Sequence, residues 1–171
     1  KTETKNAYFP IFIPESFFKK EATHAKGFSP EVAWIDKEVT GVGERLAIRP
    51  TSETIMYPSY SKWIRSYRDL PLKLNQWNNV VRWEFNNPVP FLRGREFLWN
   101  ELHTVLATEK EALEEGKVIL DIYDEVCREF LALYGVKGKK TESEKFAGGV
   151  SSEKLHYIMP NGKVIEGPCF H

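Results

Sequence analysis

The chain has 171 residues, with 24 acidic and 24 basic side chains and no net charge. That balance excludes a global basic field for nucleic acid or a membrane surface, so any nucleic-acid contact is local. No apolar run reaches membrane-span length, no signal peptide is visible, and the two cysteines, Cys127 and Cys169, lack metal-ligand spacing and read as free thiols of a reducing, cytoplasmic compartment. The length suits one domain, and both ends look cut, as in a slice of a longer protein.

Taken in order, Ala7 to Ile13 is a continuous apolar run and predicts a strand. Pro10 inside it cannot donate to a ladder, which argues for an edge or a bulge. A short helix is expected over Ser16 to Thr23. Glu31 to Ile35 and Arg45 to Ile48 predict a hairpin pair around a turn with Gly41 and Gly43. Arg49-Pro-Thr-Ser-Glu53 opens the next helix. Thr51 or Ser52 is expected to cap it, with Glu53 in the first turn and Ile55, Tyr60, Trp63 and Tyr67 on its buried side. Pro58 is expected to kink that helix or shift its start.

Thr108-Glu-Lys-Glu111 is a capping box. Leu113, Ile119, Tyr123, Val126, Phe130 and Leu133 then recur at helical spacing as far as Gly135, a natural stop. Lys137 to Glu142 reads as basic and extended, and Phe146-Ala-Gly-Gly149 as a tight turn. Leu155 to Met159 and Val164 to Glu166 read as a hairpin around Asn161-Gly162. The order of elements predicts an α+β fold with a mostly antiparallel sheet flanked by helices.

Residues 80 to 104 hold the densest chemistry. They read as two strands joined by a long loop, roughly Asn86 to Gly94. In the first, Val81, Trp83 and Phe85 share one face and Arg82 and Glu84 the other. In the second, Arg95, Phe97, Trp99, Glu101 and His103 alternate onto one side, while Leu98 and Leu102 take the side expected to face the core. A face bearing an arginine, carboxylates, a histidine and aromatics is a candidate site floor. Arg82 on a strand is a pre-set anchor for phosphate or carboxylate, with Arg93 or Arg95 for more phosphate oxygens and Phe97 as a surface for a base. Trp99, Glu101 and His103 suit a small, cationic, partly apolar ligand. Structural alternatives stand beside each reading: an Arg82–Glu84 pair within the sheet, a polar cluster under a loop, and a helix cap at Thr51 and Glu53. His24 and His156 carry no motif, and no Walker loop or zinc spacing is present.

Several blocks together resemble the class II aminoacyl-tRNA synthetases, in particular the eukaryote/archaeal-type prolyl-tRNA synthetases. They are Arg49-Pro-Thr-Ser-Glu53, Val80-Val-Arg82-Trp-Glu84, Arg93-Gly-Arg-Glu-Phe97-Leu-Trp99-Asn-Glu101-Leu-His103-Thr and Lys145-Phe-Ala-Gly-Gly149. They occur in the family's order and cover essentially the whole chain. Tyr8-Phe-Pro10 resembles the end of motif 1, at a dimer interface, and Arg82 to His103 resembles motif 2. The resemblance implies part of one catalytic domain, residues 1–171, without motif 3 or an anticodon-binding domain.

It also implies a ligase that activates L-proline with ATP to prolyl-adenylate and pyrophosphate, then charges tRNA(Pro), as a homodimer. Mg2+ would bridge the phosphate oxygens. Arg82 is then the catalytic group, holding the α-phosphate and the proline carboxylate. Glu84, Arg93 and Phe97 would contact ATP, as would Glu166 and Cys169. Thr51 and Glu53 would receive the proline amine. Trp99, Glu101, His103, Phe146 and His171 would line the ring pocket, and Phe28 would sit in a loop closing over it. The chain departs from the family at Glu166-Gly-Pro-Cys169-Phe-His171, where Gln-Gly-Gly-Thr-Ser-His is usual, and at Val150, usually Asp. The alternatives are a non-catalytic paralogue that binds protein or RNA, and a threonine or serine synthetase. Trp99, His103 and the lack of zinc ligands favour proline over threonine.

Overall fold

The computed structural model describes residues 3–21, 32–83, 88–146 and 148–171. They form two compact units, Lys1–Leu106 and Ala107–His171.

In the first unit, β1 (Lys5–Asn6) runs parallel to β5 (Leu72–Val81), which pairs antiparallel with β6 (Glu96–Val105). A second sheet places β4 (Leu46–Ile48) between β2 (Phe12–Pro14) and β3 (Trp34–Ile35), both antiparallel to it. Helix α1 (Glu15–Glu21) follows β2, α2 (Lys37–Thr40) lies between β3 and β4, and α3 (Glu53–Trp63) follows β4. The strand expected over residues 7–13 is therefore displaced. Pro10 offers no N–H, and the ladder is taken up only from Phe12, while Ala7 N–H is satisfied by Asn75 O at 2.8 Å. The hairpin pair around Gly41 and Gly43 is present with α2 inserted, and Gly41 ends that helix at φ 68°.

Phe9, Ile13, Ala47, Ile55, Met56, Tyr60 and Leu74 make the core of this unit. Helix α3 runs through Pro58, and Ser52 stands at its N-cap position with no side-chain capping bond. The expected cap fails because both hydroxyls are used elsewhere, as described below. Trp63 and Tyr67, expected on the buried side, are both exposed.

The second unit packs α4 (Glu109–Leu131) against the antiparallel sheet β7 (Val136–Lys139), β8 (Glu153–Ile158) and β9 (Val164–Phe170). Thr108 and Glu111 close the capping box as predicted. The helix ends on Ala132, in the left-handed region at φ 52°, not on Gly135. Its covered stripe is Gly116, Leu120, Tyr123 and Cys127, whereas Val126 and Phe130 of the expected stripe are exposed. The helix rests on a narrow seam. At Gly116 an added Cβ would lie 2.6 Å from the Phe170 ring, so the close approach of β9 selects the frame that starts at the glycine. The final hairpin turns at Gly162, φ 77°.

Candidate functional site

The β5–β6 register sets the site. Leu74 lies opposite His103, Gln76 opposite Glu101, Asn78 opposite Trp99 and Val80 opposite Phe97, all on one face. This face turns inward toward α3. The opposite face carries Trp77 and Leu98, which are 71% and 84% exposed. The expectation that Leu98 faces the core is thus reversed. The inward side is occupied by polar groups that α3 and the Arg49–Ser52 segment satisfy, and that side is the one the fold closes over.

Glu101 is the hub. Its Oε1 accepts from Ser52 Oγ (2.5 Å), Asn78 Nδ2 (2.7 Å) and Gln76 Nε2 (3.0 Å), and its Oε2 faces His103 Nε2 at 3.0 Å. Burial would raise its pKa, but the hydrogen bonds from His103, Ser52 and Gln76 outweigh it, and the carboxyl is held below its ordinary range. The carboxylate thereby holds His103 from its Nε2 side. His103 Nδ1 in turn faces the Tyr57 hydroxyl at 3.2 Å, with the two rings edge-on.

Arg82 follows the end of β5. Its backbone N–H donates to Arg95 O at 2.8 Å and its Nε to Pro50 O at 2.9 Å. The guanidinium carbon lies 5.2 Å from the Trp99 ring and 5.7 Å from the Phe97 ring, which meet each other edge-on. Arg82, Phe97, Trp99, Glu101 and His103 are therefore brought to one side. Arg95 is not among them: it stacks on Trp83 at 4.7 Å. Arg93 is exposed in the loop, where Val89 and Arg93 form an isolated bridge. Glu84 and Phe85, like His24 and Phe28, lie outside the described residues.

Thr51 Oγ1 donates to the Glu53 carboxylate. Thr51 is buried and Glu53 half-buried, and the pair occupies the groups expected to cap α3. Just before them, Arg49 is fully buried. It donates to Asn79 O (2.8 Å), Phe9 O (2.7 Å) and Asn79 Oδ1 (3.1 Å), and its own carbonyl accepts from Val81 N–H at 3.0 Å. It thereby ties the Arg82 end of β5 to the Thr51–Glu53 segment.

In the second unit, the His171 ring stacks on Phe146, with centroids 4.5 Å apart. Its Nδ1 lies 2.7 Å from Ser152 Oγ and its Nε2 3.4 Å from Cys169 Sγ. Ser152 Oγ also accepts from Phe146 N–H at 2.9 Å. Burial, with Lys154 and Lys140 nearby, lowers the His171 pKa to about 4.

Glu166 is clamped by Lys140 and by Lys154, the latter at 2.6 Å, and these bonds hold its pKa down at about 2. Its negative charge is therefore compensated locally. Because the side chain is half-exposed, Glu166→Gln is expected to cost no more than ~1 kcal/mol at neutral pH. A depressed carboxyl stabilises above its unfolded value, so the difference should shrink as pH falls from about 4.5 toward 2, read by denaturant unfolding across that range.

Tyr57, Gln76 and Asn78 were not singled out by the sequence reading, and Ser52 and Arg49 entered it only as a helix cap and as the start of a motif block. A signal existed: Gln76 and Asn78 alternate with an outward Trp77, an inverted pattern for a strand with one packed face.

This fold and this face define a class II synthetase core. The family description "tRNA synthetase class II core domain (G, H, P, S and T)" matches residues 36–171, and the chain belongs to that family. Within it, the chain is similar to prolyl enzymes. It is 54% identical over 173 residues to the cytoplasmic proline--tRNA ligase of Arabidopsis thaliana, covering 100% of this chain and 33% of that protein. It is 53% identical over 169 residues to the bifunctional glutamate/proline--tRNA ligase of Drosophila melanogaster, covering 98% and 10%. Its fold matches the prolyl-tRNA synthetase of Cryptosporidium parvum complexed with L-proline and AMP, with a TM-score of 0.88 and 48% identity over 98% of this chain and 33% of that one. The chain thus spans a third or less of the length of these relatives.

Proposed function

We propose that residues 1–171 are part of the catalytic domain of a proline--tRNA ligase, which activates L-proline with ATP and transfers it to tRNA(Pro). The observation that carries this is the single inward face holding Arg82, Trp99, Glu101 and His103. It sets a fixed cation beside an aromatic wall and a buried anion, which is the complement of a small zwitterion next to a phosphate. The relatives' names and the proline and AMP of the Cryptosporidium complex support the same ligands.

In this reading the proline carboxylate attacks the α-phosphorus in line, the bond to the β-phosphate oxygen breaks, and pyrophosphate leaves. Arg82 stabilises the charge on the α-phosphate and orients the carboxylate. Phe97 stacks on adenine, with Glu84 and Arg93 around the nucleotide. Thr51 and Glu53 receive the amine. No group of three or more His, Cys, Asp or Glu that could hold a metal occurs among the described residues. A magnesium ion bound with the nucleotide would supply charge compensation for the phosphates. Tyr8, 70% exposed beside Pro10, fits a homodimer contact. No described helix is long and apolar enough to cross a membrane. A cytoplasmic placement rests on the two free thiols and on the Arabidopsis relative.

ATP–pyrophosphate exchange by the full-length protein tests the reading. Exchange that requires proline supports it. No exchange, together with no thermal shift from proline and ATP, sinks it in favour of a non-catalytic paralogue.

A further inference from the structure

We propose that His103 meets its ligand as an apolar wall, because both of its ring nitrogens are consumed within the protein, and that Tyr57 is the positioning residue that keeps it so. The nature of the ligand rests on the function proposed above; the state of the ring does not.

The argument is one of donors and acceptors. Glu101 Oε2 stands 3.0 Å from His103 Nε2, while Ser52, Gln76 and Asn78 all direct donors at Oε1. An ionised carboxylate only accepts, so Nε2 carries a proton. The other nitrogen, Nδ1, is 3.2 Å from the Tyr57 hydroxyl, and in the proposed state the hydroxyl donates to the Nδ1 lone pair. In that state the ring is the Nε2–H tautomer and both nitrogens are engaged within the protein. Glu101 faces it from β6 and Tyr57 from α3. The residue opposite on β5, Leu74, is apolar. Tyr60, next along α3, has its phenol held above its ordinary pKa by burial and by Glu101, so it brings no charge. His103 is 8% exposed, and what it offers a ligand is a carbon edge and a ring face.

Such a wall accepts methylenes. A five-membered cyclic secondary amino acid fits it, and a ring bearing a hydroxyl finds no partner there. Discrimination between proline and 4-hydroxyproline should then reach about 10²-fold in kcat/KM for exchange, the order available to a pocket without a hydrogen-bonding group.

The test is ¹⁵N NMR of the His103 imidazole in the full-length protein near pH 7, on wild type and Tyr57→Phe, joined to exchange kinetics. The wild type is expected to give the neutral Nε2–H signature. In Tyr57→Phe the Nδ1 resonance should move to that of an unbonded acceptor, and the KM for proline should rise about tenfold while kcat stays within about twofold. A role for Tyr57 in packing alone would leave the nitrogen signature in place. An Nδ1–H tautomer or an imidazolium in the wild type overturns the proposal, as does equal use of proline and 4-hydroxyproline. If no amino acid supports exchange, the proposed function fails, yet the nitrogen signature still decides the state of the ring.

Discussion

Arg82→Ala in the full-length protein is expected to lower proline-dependent ATP–pyrophosphate exchange by about 10²–10³-fold, the range for removing one charge-stabilising donor at a transition state. Stability should change little. Arg82 stands just past the end of β5, and its Nε donates to Pro50 O. That bond, with Trp99 and Phe97 alongside, aims the guanidinium without burying it fully. Arg82→Lys should not restore the rate, because an ammonium cannot hold the Pro50 carbonyl through Nε while presenting a planar fork to phosphate and carboxylate. Steady-state exchange kinetics and a thermal melt on the same preparations check both halves. A variant that melts early, or that keeps its rate, would place the charge stabilisation elsewhere.

Glu101→Ala should do the opposite and strike stability first. The Glu101 and His103 side chains are each only 9% exposed, and the carboxylate satisfies Ser52, Gln76, Asn78 and His103 together. Its removal strands buried donors at the heart of the hairpin, at a cost of about 3–5 kcal/mol. Denaturant unfolding at neutral pH measures it. The sign of the pH dependence is also set. Because the folded pKa of Glu101 lies below its unfolded value near 4.5, its contribution is present above that value and is lost as pH falls through the folded pKa. The gap between wild type and variant should therefore close in acid.

The hairpin was legible because it follows period-two alternation. The odd-numbered side chains from Phe97 to His103 do share a face, and Arg82 joins them from the other strand. Which way the face points was not legible. Leu98 and Leu102 look like core residues by hydropathy, and only the partner across the gap, α3, reveals that the polar side is the closed one. The role of Glu101 was hidden for the same reason. Apart from His103, its donors sit 23 to 49 residues away in sequence, and no local spacing announces them. The expected cap at Thr51 or Ser52 failed because a tertiary acceptor, Glu101, outbid the helix end for the Ser52 hydroxyl, and Glu53 took that of Thr51. In α4 the capping box was readable in four residues, but the choice of stripe depended on Phe170 closing on Gly116, a contact 54 positions away. In the sequence Glu166 showed only as a departure from the family's Gln. Lys140 and Lys154 become its partners only once β8 and β9 are paired.

The account turns on the inward face of the β5–β6 hairpin being where a cyclic amino acid and a nucleotide meet. A crystal structure of the full-length protein with L-proline and a non-hydrolysable ATP analogue measures this directly. The pyrrolidine ring is expected against Trp99 and the carbon edge of His103, with the α-phosphate and the proline carboxylate both within hydrogen-bonding reach of the Arg82 guanidinium. Ligands seated on the outward face, beside Trp77 and Leu98, or a proline ring remote from Trp99 with Arg82 contacting neither group, would contradict it.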